Sequence, residues 1–94
     1  MATRGGAVLA SLLRAIGLFI VAVLVLFIVL TVLDANPANP LTQLVTYLAN
    51  LFDLGLSDLF VQPDPKISVA INYGVAAVVW LVITTVVTRL VRRF

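Results

Sequence analysis

The chain contains no cysteine and no histidine, and its four acidic residues are all aspartate. These absences exclude thiolate and imidazole sites, and no disulfide can form. Acid–base chemistry would have to use aspartate, lysine or tyrosine alone. The aspartates lack calcium-loop spacing, and phosphate-binding loops, hydrolase elbows and zinc motifs are missing. The composition therefore predicts a protein that is not an enzyme, with no cofactor, no metal site and no evident small-molecule substrate.

Charge is also scarce, since only 11% of the 94 residues are charged and 63% are hydrophobic. A water-soluble domain carries roughly a quarter charged residues. Two runs, residues 15–33 and 67–88, contain no charge at all. Each is long enough to cross the ~30 Å hydrocarbon core of a bilayer as a helix. We therefore expect an all-α membrane protein with two transmembrane helices in a hairpin, and the lipid bilayer as its first partner.

The few charges are sorted by sign along the chain. All four acidic residues lie between the two apolar runs, whereas five of the six basic residues lie outside them. These five topology anchors are Arg4, Arg14, Arg89, Arg92 and Arg93. Because positive residues stay on the cytoplasmic side, the pattern predicts a multi-pass membrane protein with both termini in the cytoplasm. Nucleic-acid binding is not expected, because lipid headgroups explain arginines at these positions.

This pattern divides the chain into five segments. Residues 1–14 form a cytoplasmic lead, and residues 89–94 form a basic cytoplasmic tail. Between the two runs lies an extracytoplasmic connector, residues 34–66. The first run is longer than the apolar part of a signal peptide, and no small-residue cleavage motif follows it. We therefore expect a retained anchor and not a cleaved signal.

The connector contains an amphipathic pattern over about residues 40–54. Its apolar side, which we call the interfacial face, consists of Leu41, Leu44, Val45, Leu48, Leu51 and Phe52. These positions follow helical spacing, with Asn39 as the N-cap, Pro40 at the first helical position and Gly55 ending or kinking the helix. Its polar side has no lysine or arginine. We expect it to lie through apolar burial on the outer membrane surface or on a partner protein.

The second run carries the groups best suited to contact with another helix. Its predicted helix-docking face consists of Ala70, Gly74, Ala77 and Trp80. The small residues let a neighbouring helix approach closely. Trp80 lies near the middle of the run, where its indole N–H needs a partner, and we expect no ionisable residue at its depth. Asn72, nearer the outer end, either hydrogen-bonds across helices or reaches headgroup water, and for it and Tyr73 the membrane interface is the favoured interpretation.

The stretch Asn-Pro-Leu-Thr-Gln-Leu-Val-Thr-Tyr-Leu at residues 39–48 resembles the YggT family of small bacterial membrane proteins. That family has an apolar span, a proline-containing connector with an Asn-Pro-Leu step opening an amphipathic stretch, and a second span. The similarity covers at most residues 33–80, and the family's arginine near the end of its first span has no counterpart here. The resemblance implies a two-span bacterial membrane protein and carries no catalytic residues.

Two helices cannot enclose a sizeable core, so their inward faces need another copy, a larger subunit or lipid. Neither run has a charge at its centre, whereas proton relays and ion-coupled transporters normally carry one. We therefore expect a non-catalytic accessory or assembly subunit of a bacterial inner-membrane complex, docking through the second transmembrane helix and the connector helix. The alternative is a self-associating pore or holin-like protein, which suits the small size and basic C-terminal end but not the long connector.

Overall fold

The computed structural model describes residues 4–56 and 58–93, and for Arg4 only the backbone. Within these residues the chain forms three helices, α1 (Arg4–Val32), α2 (Pro40–Leu51) and α3 (Pro65–Arg92). The prediction of an all-helical protein is confirmed. Two of the helices, α1 and α3, are long and apolar enough to cross a membrane, whereas α2 is a 12-residue helix inside the connector.

Two Asx-Pro steps start α2 and α3. The Asn39 side chain accepts a hydrogen bond from the backbone N–H of Leu41 at 2.8 Å, and Pro40 occupies the first helical position. Asp64 accepts from the backbone N–H of Lys66 at 2.9 Å, with Pro65 behind it. Each side chain satisfies a donor that the first helical turn leaves without a partner. The Asn39 cap is the one expected from the sequence.

The end of α1 turns the chain into the connector. Asp34 has a left-handed backbone, with φ of 56°, and the N–H of Ala35 donates to the carbonyl of Leu30 at 2.8 Å. This is a Schellman turn, which normally uses glycine at the left-handed position. The Asp34 carboxylate then accepts from the Lys66 ammonium at 2.7 Å. The end of α1 therefore lies beside the start of α3, and the two long helices form an antiparallel hairpin.

At Gly17, α1 and α3 approach each other closely. A Cβ atom placed on Gly17 would overlap the side chain of Thr84, including its Cβ. A contact this close between helices requires a residue without a side chain. Further along the hairpin, Ile20 and Leu24 of α1 pack with Ala76 and Ala77 of α3 in one buried cluster. The small residues of α3 are thus used partly inside the chain.

The connector helix lies along α1 and not across the ends of the hairpin. Val45 and Ala49 are 5% and 0% exposed, and Ala49 belongs to the same buried cluster as Leu24. This differs from the expected helix lying flat at one end. Val45, which belongs to the predicted interfacial face, and Ala49 beside it are buried where α2 contacts α1, so the direction of α2 follows the long helices.

The Gly17 contact predicts that alanine at Gly17 and alanine at Gly74, two glycines within long helices, change the stability in opposite directions. Gly17→Ala forces α1 and α3 apart, because rotating Thr84 cannot move its Cβ, and should lower the free energy of unfolding by about 1–3 kcal/mol. Gly74→Ala meets no atom within 4 Å and should raise it by up to about 1 kcal/mol through helix propensity. Unfolding in mild detergent, followed by Trp80 fluorescence, measures both. Equal stability of the two variants would contradict the close contact.

Candidate functional site

Beyond the first turn of α3, where Lys66 and Ser68 bond to Asp34 and Gln62, three further side chains hold the connector by hydrogen bonds. Asn72, Tyr73 and Trp80 all point away from the open side of α3 and towards the connector and α1. We call these three residues the connector anchors. They bind the connector at three separate places, namely Phe60, Asn50 and Phe52. The site is therefore a polar cluster enclosed between apolar helices.

Asn72 binds the returning part of the connector through both ends of its amide. Its Oδ1 accepts from the backbone N–H of Phe60 at 2.8 Å, and its Nδ2 donates to the carbonyl of Phe60 at 3.0 Å. The side chain is 1% exposed. The amide of Asn72 thus offers one acceptor and one donor, as a neighbouring strand would. The backbone N–H and carbonyl of Phe60, in a non-helical segment, are therefore satisfied without water. The expectation of an interfacial Asn72 is wrong, because its amide is needed inside the protein.

Tyr73 is likewise buried, at 5% exposure, and not directed to an interface. Its hydroxyl donates to Oδ1 of Asn50 at 2.6 Å, near the end of α2. Its ring packs at 4.7 Å, centroid to centroid, on the ring of Phe27 from α1. One side chain therefore joins all three helices, through apolar contact on one side and a hydrogen bond on the other.

Trp80 holds the C-terminal end of α2. Its indole N–H donates to the carbonyl of Phe52 at 2.8 Å, and the two rings meet edge to face at 6.2 Å. The carbonyls of the last helical turn have no partner within their helix, so this bond supplies one. The predicted need for a partner of the indole is met by the chain's own connector and not by another helix of a partner protein.

This bond shows how far α2 extends along the hairpin. Trp80 comes fifteen residues after Pro65, which is about 22 Å along a helix of about 42 Å. The end of α2 therefore lies beside the middle of α3. Asp53 follows directly after Phe52, whose carbonyl the Trp80 indole reaches. The expectation that no ionisable residue lies at the depth of Trp80 stays a prediction.

The chain reverses at residues 53–55. Leu54 and Gly55 both have left-handed backbones, with φ of 58° and 74°. Oδ1 of the half-buried Asp53 accepts from the N–H of Gly55 at 2.9 Å, and the Asp53 carbonyl accepts from the N–H of Leu56 at 2.9 Å. Asp53 thus organises the turn that sends the connector back along α3 to Phe60. In the described part of the chain, every buried side-chain nitrogen or oxygen has a hydrogen-bond partner.

The structure divides the predicted helix-docking face between inside and outside. Ala77 is 6% exposed and packs in the core, and Trp80 binds the connector. Neither is available to a partner helix, which corrects that part of the prediction. Ala70 is half-buried, and Gly74 has open space in front of its Cα. The outward side of α3 is therefore centred on Gly74 and the exposed Val78.

The interfacial face of the connector is divided in the same way. Val45 is buried, and Leu48 and Phe52 pack on the core cluster. Its exposed members are Leu41, Leu44 and Leu51, at 63%, 54% and 56% exposure, and Tyr47 beside them is 62% exposed. The last helical residue is Leu51, three positions before the expected end. An apolar stripe that was not needed inside the chain thus remains on the outside of α2.

The topology anchors that the structure describes lie at the opposite end from the connector caps. Arg14, Arg89 and Arg92 line one cleft between α1 and α3, and Arg93 is exposed outside it. The side chain of Arg4 lies outside the described part. Sequence reasoning assigned these residues to orientation alone, because the spacing between Arg14 and Arg89 gives no sign that they meet. It also missed the connector anchors, although Tyr73 and Trp80 are seven residues apart and therefore share one helical face.

Comparisons with models of known protein families, with curated proteins and with solved structures find no match to this chain. The resemblance of residues 39–48 to the YggT family therefore stays a prediction. The function is therefore inferred from the geometry of this chain's own residues.

The Asn72 amide predicts a local effect on the returning segment of the connector. Asn72→Leu keeps the size of the side chain but leaves the N–H and carbonyl of Phe60 without partners, at a cost of about 1–3 kcal/mol. Amide hydrogen exchange at Phe60 should become about tenfold faster or more. The control is Asn36→Leu, which removes an exposed amide bonded only locally, to Ala38. Unchanged exchange at Phe60 in the Asn72 variant would show that this amide does not hold the connector.

Proposed function

We propose that this chain is a two-span protein of the bacterial inner membrane that acts as a non-catalytic accessory or assembly subunit of a larger complex. One observation carries the proposal. The polar groups of Asn72, Tyr73 and Trp80 are engaged in holding the chain's own connector, whereas the outward sides of the hairpin are apolar and without a partner in the chain. Such a molecule acts through its surface and not through a reactive centre.

The outward surface supports membrane placement of α1 and α3. Within the most apolar window of each long helix, only 22% of residues in α1 and 11% in α3 are buried inside the chain. Large exposed apolar patches on a soluble monomer are rare. In a bilayer the same side chains face lipid, and the arginines at one end then lie in the cytoplasm with both termini.

With α1 and α3 crossing the bilayer, the connector enters the membrane from the outer side as a re-entrant helix. Its C-terminal end then lies near the bilayer centre, at the level of Trp80. Non-helical backbone is tolerated at this depth only when protein groups satisfy it. The bonds from Asn72 and Trp80 to the backbone of Phe60 and Phe52 supply part of that requirement. The placement of α2 within the bilayer is therefore consistent with the need to satisfy backbone polar groups at that depth.

Docking uses the two apolar surfaces that the fold leaves outside. One is the side of α3 centred on Gly74 and Val78, where the missing side chain allows close approach. The other is the outer stripe of α2 formed by Leu41, Leu44, Tyr47 and Leu51. A larger membrane subunit that contacts both surfaces would cover α2, which enters only part of the bilayer. Lipid alone would pack on α2 less closely.

Membrane placement predicts a depth-dependent labelling pattern for introduced cysteines, which are unique because the chain has none. Asn36→Cys lies in the exposed loop after α1, whereas Leu51→Cys is exposed on α2 at mid-depth. In intact cells a membrane-impermeant maleimide should label Asn36→Cys but not Leu51→Cys. Thr3→Cys and Phe94→Cys should stay unlabelled until the cells are lysed.

Detergent solubilisation is the control, because it should make Leu51→Cys reactive. Equal labelling of Leu51→Cys and Asn36→Cys in intact cells would put the connector helix on the membrane surface. Labelling of either terminus before lysis would overturn the orientation.

The docking surface predicts that bulk at Gly74 weakens association with the partner subunit. A leucine there meets no atom of this chain within 4 Å of its Cβ, so the hairpin itself should be unchanged. Closely packed helices in lipid should lose about 1 kcal/mol or more, which is about fivefold in affinity. The measurement is recovery of the partner after purification in mild detergent at matched expression. The control is Val86→Leu, because Val86 is 49% exposed and about 120° around α3 from Gly74.

A second function, a self-associating pore, gains support from Asp53. An ionisable residue near the centre of a bilayer marks ion or proton pathways by default. The C-terminal end of α2, which carries the negative pole of its dipole, lies beside Asp53. The same purification separates the two functions. A larger partner that is lost in Gly74→Leu supports the accessory subunit, whereas a homo-oligomer that makes vesicles leak ions supports the pore and overturns the accessory role.

A further inference from the structure

A cleft of about 350 Å³ opens between α1 and α3 at the end of the hairpin away from the connector. Arg14 from α1 and Arg89 and Arg92 from α3 line it. We call it the basic cleft. The three arginines come from opposite ends of the sequence and are brought to one place by the antiparallel packing of the two long helices.

The basic cleft has no acidic residue to balance its charge. The four aspartates of the sequence all lie in the connector, and none of them lines the cleft. Within residues 4–56 and 58–93, the ion pair is that of Lys66 with Asp34. The side chains of the three arginines make no hydrogen bond or ion pair in this part of the chain. Three guanidinium groups in one cleft repel one another unless an anion lies between them. The cleft therefore has the charge of an anion site.

The lining of the cleft changes from basic to apolar along the hairpin. Arg92 lies at the end of α3, and Leu81 lies eleven residues, or about 16 Å, nearer the middle. On the facing helix Leu18 is one turn further in than Arg14. The hydroxyl-bearing Thr85 lies between the basic and the apolar parts. A ligand that fills this shape has an anionic end and an apolar tail.

We propose that the basic cleft binds the phosphodiester headgroup of an anionic glycerophospholipid of the cytoplasmic leaflet. Guanidinium forks match phosphate oxygens, and basic pockets between membrane helices on the cytoplasmic side are typical sites for anionic headgroups. An acyl chain then follows Leu18 and Leu81 towards the middle of the bilayer. The inference rests on the proposed membrane placement but not on a partner subunit. A free phosphate shares the headgroup chemistry but leaves the apolar part of the cleft empty.

The test uses the full chain, purified without a partner in a mild zwitterionic detergent. Phosphatidylglycerol, phosphatidylcholine and inorganic phosphate are the three probes, and native mass spectrometry measures how much of each stays bound. The wild type should retain phosphatidylglycerol in preference to the other two. Arg14→Gln and Arg89→Gln should each lower this retention by about fivefold, the effect of about 1 kcal/mol per arginine.

Arg93→Gln is the matched control, because Arg93 has the same charge at the same end of the hairpin but lies outside the cleft. Retention in this variant should stay near that of the wild type. An equal loss in Arg93→Gln and Arg89→Gln would show diffuse attraction to anionic lipid and overturn the site. Retention of inorganic phosphate as strong as that of phosphatidylglycerol would overturn the lipid as its ligand. Neither result bears on subunit docking, which the Gly74 variant tests separately.

Discussion

The fold depends on one constraint, which is that the backbone of a connector packed against the apolar hairpin must find hydrogen bonds where it leaves its helix and returns. The α2 segment meets part of this need as a helix, but the chain has to end that helix and return. At the return, Asp53 supplies bonds within the turn, and Trp80 and Asn72 supply bonds from α3. Each bond removes a polar group that would otherwise be costly to bury.

This constraint also decides which surfaces remain free. Once Tyr73 and Trp80 hold α2 against the hairpin, Ala77 is covered and Gly74 is turned outwards. The apolar residues of α2 are likewise separated into a packed side with Val45 and an outer side with Leu44. A hairpin of two helices, which has little interior of its own, thereby gains a small core and keeps apolar surface for association.

The two ends of the hairpin have opposite electrostatic character. Acidic residues stay in the connector, where Asp34 pairs with Lys66 across the junction of α1 and α3, whereas arginines gather in the cleft at the other end. An exposed pair such as Asp34–Lys66 contributes only about 0–1 kcal/mol, so this distribution of charge adds little to stability.

Local chemistry is what the sequence by itself determined. Two features depend on near neighbours in the chain and were therefore predictable. They are the two long apolar helices and the helix starts at Asn39-Pro40 and Asp64-Pro65. Only the tertiary structure decided the direction of α2, the burial of Asn72 and the meeting of Arg14 with Arg89. The physical reason is that α2 is apolar on more than one side. Periodicity alone therefore allowed a surface helix, and the choice fell to hydrogen bonds between residues far apart in the chain, such as Trp80 and Phe52.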